Sequence, residues 1–351
     1  MNNKTIIVDG IKNLIPPCSG FAKKRLADYK LDLLALCEFG CPYCSTNHGN
    51  YLRIRKKNYA AESKRQLGER LLPALNPELT IHWRDVLKHL EEQLDGKPKS
   101  FGLGRTLVFS MLTDGFSPSL VRNGTTAAAL KLVLGRTSFR IRVLTKNAVV
   151  GTDDWIRLFL EHPGRFVVGL SIGSLDDGWA KKMELGTSAP TARIHALRRL
   201  QDAGIPTFGM LCPVFPEILD SGALEALVEQ SRPDRVEHVW AEPYNDRANW
   251  KLVRSIYPAG SASYAWMTEV YGHKDAAVWS KYVIDLYLRL HAIAEKGGWM
   301  PKLRYLLDED LIVPDDAARL PGLNGILVQS KPGDDGFSKN SHIRALEMKE
   351  C

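Results

Sequence analysis

The sequence is short of several things. It has six cysteines in 351 residues, too few and too unevenly placed for the disulfide framework that staples small exported domains. No run approaches the roughly 18 consecutive apolar residues that a membrane-crossing helix requires. The opening stretch MNNKTIIVDGIKN has neither an apolar core nor a small-residue cleavage pattern. Neither a membrane span nor a secretory leader is therefore expected, and a cytoplasmic setting follows. No internal repeat and no low-complexity tract is visible, which leaves an ordinary globular chain. A second closely spaced pair of cysteines, the usual mark of a structural zinc site, is also missing.

What is present suits an α/β enzyme. A hydrophobic content of 44% supplies a sizeable core, and the length is that of a single large α/β barrel. Lys and Arg number 47 against 40 Asp and Glu, a formal charge of +7. The excess is local. Between Tyr51 and Arg70 lie Arg53, Arg55, Lys56, Lys57, Lys64, Arg65 and Arg70 against Glu62 and Glu69, a window of +5. Such a face attracts a polyanion, and with Tyr51 and Tyr59 beside it the fit is to nucleic acid; a solvated helix surface is the plainer reading.

Apolar runs at Leu31–Leu36, Thr106–Met111, Phe139–Leu144, Phe166–Ser171, Thr207–Cys212 and Arg235–Ala241 read as strands. Between the later ones, Thr125–Leu134, Asp153–Glu161, Thr191–Ala203 and Leu224–Ser231 read as helices, and about Ala60 to Leu94 reads as helical too. Alternation of this kind predicts βαβ units, a parallel sheet and a partial (β/α)6, TIM-like barrel. The expected organisation is an N-terminal extension over 1–30, a barrel over 31–245 and a mostly helical section over 246–351. Five of the eight Trp and six of the eleven Tyr fall between Trp240 and Trp299, in keeping with that section packing through aromatics.

Three cysteines crowd into eight residues, Cys37-Glu38-Phe39-Gly40-Cys41-Pro42-Tyr43-Cys44, a C-x3-C-x2-C spacing directly after the first expected strand. Thiolates this close can share one soft metal centre, zinc or iron–sulfur. His48 is a possible fourth ligand for zinc, which would make the chain a zinc-stabilised nucleic-acid-binding protein. Without a fourth ligand, a [4Fe-4S] cluster keeps one iron open. An electron-transfer protein is a further reading of the same motif.

The spacing, with Tyr43 just before the third cysteine, resembles the signature of the radical S-adenosylmethionine (SAM) superfamily. That resemblance implies a partial barrel, a [4Fe-4S] cluster on Cys37, Cys41 and Cys44, and SAM bound at the open iron. Reductive cleavage of SAM would give a 5′-deoxyadenosyl radical, with an external flavodoxin-like or ferredoxin-like electron donor. A second resemblance spans about residues 105 to 220. Val168 to Asp177, Glu184-Leu-Gly186, Pro190 to Leu200, Gly204-Ile-Pro206 and Met210 to Pro216 are similar to the spore photoproduct lyase and DNA-repair-photolyase-like branch. Thr113-Asp114 and Thr145-Lys146 look like the same branch. It implies that Thr113, Asp114, Lys146 and Ser171 contact SAM, and that Tyr43 packs beside the cluster. Where that branch often places Tyr-Ala-Arg after its third cysteine, this chain has Ser45-Thr46-Asn47-His48.

Three further expectations concern substrate. Cys212, ending the fifth expected strand, is placed to donate hydrogen, although a buried free cysteine also serves as a small apolar filler. Glu242, Asn245 and Arg247 close the sixth and suit a base, phosphate or carboxylate. Gln329 to Gly333 reads as an ordinary surface turn, with closure over the pocket as the second reading. Nucleic acid is the favoured substrate class, with a peptide or small molecule as the alternative.

Overall fold

The computed structural model describes residues 4–10, 13–72, 79–220, 222–329, 338 and 340–343. The chain divides into two compact units. The first holds residues 1–171, 176–207 and 247–253, and the second holds 172–175, 208–246 and 254–351.

The first unit contains two sheets. In the larger, β2 (Tyr29–Leu31), β5 (Thr106–Phe109), β6 (Arg140–Thr145) and β7 (Phe166–Ser171) pair in parallel in that order. All six residues of β7 are buried, as expected of a parallel strand covered on both faces. Helices α3 (Val86–Asp95), α4 (Pro118–Arg122), α5 (Thr125–Arg136) and α6 (Asp153–Leu160) supply the crossovers. Two shorter elements, α1 (Ser19–Lys23) and α7 (Asp177–Met183), precede β2 and follow β7. Asp176 caps α7 by accepting from the Gly178 and Trp179 N–H groups. Helix α8 (Pro190–Asp202) starts on a proline, whose missing N–H costs nothing there. The smaller sheet, β1 (Lys4–Val8), β4 (Leu79–Trp83) and β3 (Leu34–Leu36), joins a parallel and an antiparallel pair. Helix α2 (Asn50–Leu67) contributes Leu52 and Tyr59 to the apolar cluster formed with Ile6, Val8, Leu36, Leu79, Ile81 and Trp83.

In the second unit, β8 (Thr207–Val214), β9 (Val239–Pro243), β10 (Leu303–Leu307) and β11 (Ile326–Val328) form another parallel run in chain order. Helix α9 (Ala223–Ser231) links β8 to β9. The short α10 (Trp250–Arg254) and α11 (Ala262–Met267) lead into α12 (Ala276–Lys296), which buries nine residues, and α13 (Pro314–Ala317) precedes β11.

The α/β class with parallel strands and crossover helices is as expected, carried by eight parallel strands in two runs of four. Two local expectations give way. Leu31–Leu36 is not one strand: Asp32 leaves the line to accept N–H bonds from Met111, Leu112 and Thr113, so β2 and β3 enter different sheets. The segment read as helical up to Leu94 is broken by β4, whose β-branched core survives between two helices. Past residue 245, the long helix is accompanied by two strands. No helix among the described residues is long and apolar enough to cross a membrane.

Candidate cluster site and its buried anchor

The three cysteines follow β3 on a tight loop. Gly40 turns it with φ 62°, a conformation that side chains disfavour, and the Cys44 N–H closes onto the Cys41 carbonyl at 3.1 Å. All three are free thiols, with Cys37 and Cys41 buried and Cys44 half-buried. Burial, and then the neighbouring Cys44 and Cys41 sulfurs, push the Cys37 thiol well up; burial is also the main cause for Cys41, with Glu184 next.

The loop is fastened from several sides. The Glu38 carboxylate, 7% exposed, accepts from Ser117 Oγ at 3.0 Å and from the Ser119 N–H at the start of α4. Thr46 Oγ1 donates to the Leu112 carbonyl at 2.7 Å, tying the loop to the turn that Asp32 organises. The Gly186 N–H meets the Phe39 carbonyl at 2.9 Å. A Cβ on Gly186 would stand 2.4 Å from the Glu38 carbonyl oxygen, so only glycine fits. Gly49, which starts α2, is similarly confined by the Arg247 carbonyl at 2.4 Å.

Glu184 lies at the centre of the larger polar cluster, with its side chain 1% exposed. Its carboxylate takes a proton donor from each of three elements: Lys146 Nζ at 2.8 Å, the Arg193 guanidinium and the Tyr43 hydroxyl. Lys146 also donates to Ser171 Oγ at 2.8 Å and lies 5.6 Å from the Tyr43 ring centre. Arg193 donates as well to the Ser171 carbonyl. Burial works to raise the Glu184 carboxyl, but Lys146 and Arg193 outweigh it and hold it at about 2.

Thr113 and Asp114 end the β5 turn and behave differently. Asp114 accepts from Thr145 Oγ1, the Lys146 N–H and the Phe116 N–H, each at 2.8 Å, so its carboxylate is spent joining two strand ends. Burial raises its pKa despite these bonds. Thr113 Oγ1 is buried with no partner, as are Asn47 Oδ1, His48 Nδ1 and Ser119 Oγ. A buried hydroxyl without a partner costs roughly 1–3 kcal/mol, so each of these atoms is a place where a water or a ligand would be stabilising. His48 is lowered to about 4, by burial first and against a backbone hydrogen bond with Gly40, and is a neutral imidazole.

The donor set fits a [4Fe-4S] cluster. Three soft thiols on one short loop match its ligation, and the unpartnered Thr113 hydroxyl follows the turn that Thr46 holds. Among the described residues, no group of three or more His, Cys, Asp or Glu side chains converges as a single metal ion would require. A cubane needs no such convergence, because its three thiolates bind three different irons.

The remaining residues lie in other surroundings. In the second unit, Cys212 Sγ donates to Glu242 Oε2 at 3.4 Å and is half-buried. Asn245 Nδ2 donates to Asp308 Oδ2 at 2.6 Å. Arg247 belongs to the first unit, where its N–H reaches Asn249 Oδ1 at 3.4 Å. Residues 330–333 of the expected surface turn lie outside the described residues. On α2, Tyr51 and Ile54 are 52% and 79% exposed, with Arg53, Lys56 and Lys57 exposed alongside. Tyr59 faces the core, 3% exposed, and offers no stacking surface. Arg55 lies 5.0 Å from the Trp83 ring centre, and Arg65 pairs with Glu62.

Glu184 and Arg193 were not singled out from the sequence. Glu184 lies inside the Glu184-Leu-Gly186 stretch, and Arg193 is the arginine on the apolar face of α8, between Pro190 and Ile194. A charged residue on a buried helical face is the one available signal.

No family model matches the chain. An uncharacterized protein, ORF301 of Acidianus two-tailed virus, is 20% identical over 246 residues, covering 68% of this chain and 75% of that one. Among solved structures, the chain is similar to a spore photoproduct lyase complexed with dinucleoside spore photoproduct, at 15% identity and a TM-score of 0.44 over 73% of this chain. It is also similar to native anSMEcpe with bound AdoMet, at 11% identity and a TM-score of 0.41 over 77% of this chain. The chain spans 66% and 62% of those two proteins, less than two thirds of either.

Proposed function

We propose that this chain is a radical SAM enzyme whose Cys37, Cys41 and Cys44 hold a [4Fe-4S] cluster and whose Thr113, Lys146 and Ser171 receive SAM. The observation that carries this reading is three free thiols on one short loop that bonds from Ser117, Thr46 and Gly186 fasten in place. When bound, such a cluster supplies an electron, drawn from an external flavodoxin-like or ferredoxin-like donor, that splits SAM into methionine and a 5′-deoxyadenosyl radical. The chain's own groups bind and orient. Lys146, fixed by Glu184 and Ser171, offers a cation to a carboxylate, and Thr113 Oγ1 offers an acceptor to an ammonium. Asp114 holds two strand ends together and leaves the ligand to its neighbours.

Nucleic acid is the proposed substrate class. The support is the start of α2, where Arg53, Lys56 and Lys57 can neutralise phosphates while exposed Tyr51 offers a ring to a base. In the second unit, Cys212 is proposed as a hydrogen donor and Glu242 and Asn245 as substrate contacts, with Arg247 in the same role in the first.

Anaerobic purification, iron and sulfide assay, and reduction in the presence of SAM test the chemistry. About four irons per chain and release of 5′-deoxyadenosine are expected. Stoichiometric zinc without sulfide would defeat the reading; a cluster that never cleaves SAM would make the chain an electron carrier. Salt-sensitive binding to a single-stranded oligonucleotide tests the substrate class, and absence of binding at low salt would transfer the proposal to a peptide or small molecule.

A further inference from the structure

We infer that Glu184 is a positioning residue for SAM, coupling the cluster loop to the Lys146 cation that meets the ligand. The inference rests on the radical SAM reading and goes beyond it, since Glu184 touches neither a thiol nor any proposed ligand contact except Lys146.

The argument is geometric. One carboxylate joins three elements: the cluster loop through Tyr43, the end of β6 through Lys146, and α8 through Arg193. Tyr43 occupies the two-residue gap between Cys41 and Cys44, so fixing its hydroxyl fixes the span over which two thiolates must reach a cluster. Lys146 carries three N–H donors, and Glu184 and Ser171 Oγ each take one at 2.8 Å, which sets the direction of the ammonium. The backbone next to Glu184 is pressed on the same loop, where Gly186 leaves no room for a Cβ against Glu38. A simple structural ion pair between Glu184 and Arg193 would not require either Tyr43 or Lys146. The observed carboxylate spends an oxygen on both. A buried ion pair is in itself weak evidence for stability, so the two additional partners are the part of this network that positioning accounts for.

The test separates positioning from folding. Glu184→Gln leaves Arg193 buried beside a neutral amide, and the fold suffers. The double variant Glu184→Gln/Arg193→Met removes that stranded charge and recovers thermal stability. Positioning predicts that SAM affinity of the anaerobically reconstituted protein, by equilibrium dialysis, falls at least about tenfold in both variants and does not return in the double. Tyr43→Phe, which removes one hydroxyl, lowers affinity less and leaves the melting temperature near that of the parent. Affinity that recovers together with stability in the double variant overturns the inference while leaving the radical SAM reading intact. An unsubstituted protein that takes up a cluster but binds no SAM overturns both.

Discussion

Two regions of the first unit use charge in opposite ways. Around Glu184, a guanidinium and a carboxylate are buried together, with exposures of 0% for Arg193 and 1% for Glu184, and the half-buried Lys146 ammonium, 15% exposed, completes the set. Along the start of α2, Arg53, Lys56 and Lys57 stand in solvent with no ion pair among the described residues, and the helix has few buried side chains. The first arrangement is a fastener: it costs desolvation and repays it only when every partner is present. The second is a surface whose charge is available to something outside the chain. The same residue types therefore mark an internal joint in one place and an external contact in the other, and burial tells them apart.

The sharpest way to break this contrast is to remove the carboxylate. Glu184→Gln should cost roughly 3–5 kcal/mol of unfolding free energy, the usual penalty for stranding a buried charge, read from chemical denaturation of the metal-free protein. A loss under about 1 kcal/mol, typical of an exposed pair, would place Glu184 in the same class as α2.

Acid should act on the same joint. The folded-state carboxyl of Glu184 sits at about 2, below its ordinary value of 4.5, so its stabilising contribution is fully present above about pH 4.5 and disappears as pH falls towards 2. Unfolding midpoints followed from pH 6 to 2 should fall faster in the parent than in Glu184→Gln. Parallel curves would show that this carboxylate does not supply the acid sensitivity.

Reversing Arg53, Lys56 and Lys57 to Glu should leave stability within about 0.5 kcal/mol, as surface changes do. Oligonucleotide binding should nevertheless be lost, and in the parent log affinity should fall linearly with log salt, at about 0.7 per phosphate contact for single strands. Unaltered binding in the triple variant would move the nucleic-acid surface away from α2.

How much of this was legible beforehand follows from range. The strands Thr106–Phe109 and Phe166–Ser171 and the helix from Thr125 announce themselves through short apolar runs and an alanine-rich stretch, because those signals are local. The cysteine loop is equally local. Asp32 was hidden because its partners, Met111 to Thr113, lie 79 to 81 residues away. Tyr59 illustrates the converse error: in a basic window it reads as a stacking ring, and only the small sheet beneath α2 shows it to be core. Glu184 combines both difficulties, since its three partners lie 141, 38 and 9 residues away and no contiguous stretch of sequence holds it with any two of them.

The smallest expected effect is the most discriminating for the site itself. Thr113→Val is nearly isosteric and removes a buried hydroxyl that bonds to no other group of the chain. Removing an unsatisfied polar atom relieves its desolvation cost, so the variant should be as stable as the parent or more stable by up to about 1 kcal/mol. If that hydroxyl exists for the ammonium of SAM, the same substitution should weaken SAM binding several-fold. Stability and affinity would then move in opposite directions, the signature of a polar group kept at a cost for a ligand. A variant that loses stability would instead show that Thr113 Oγ1 serves the fold, and the ammonium contact would have to be sought among Asn47, His48 and Ser119, whose buried polar atoms are also unpartnered.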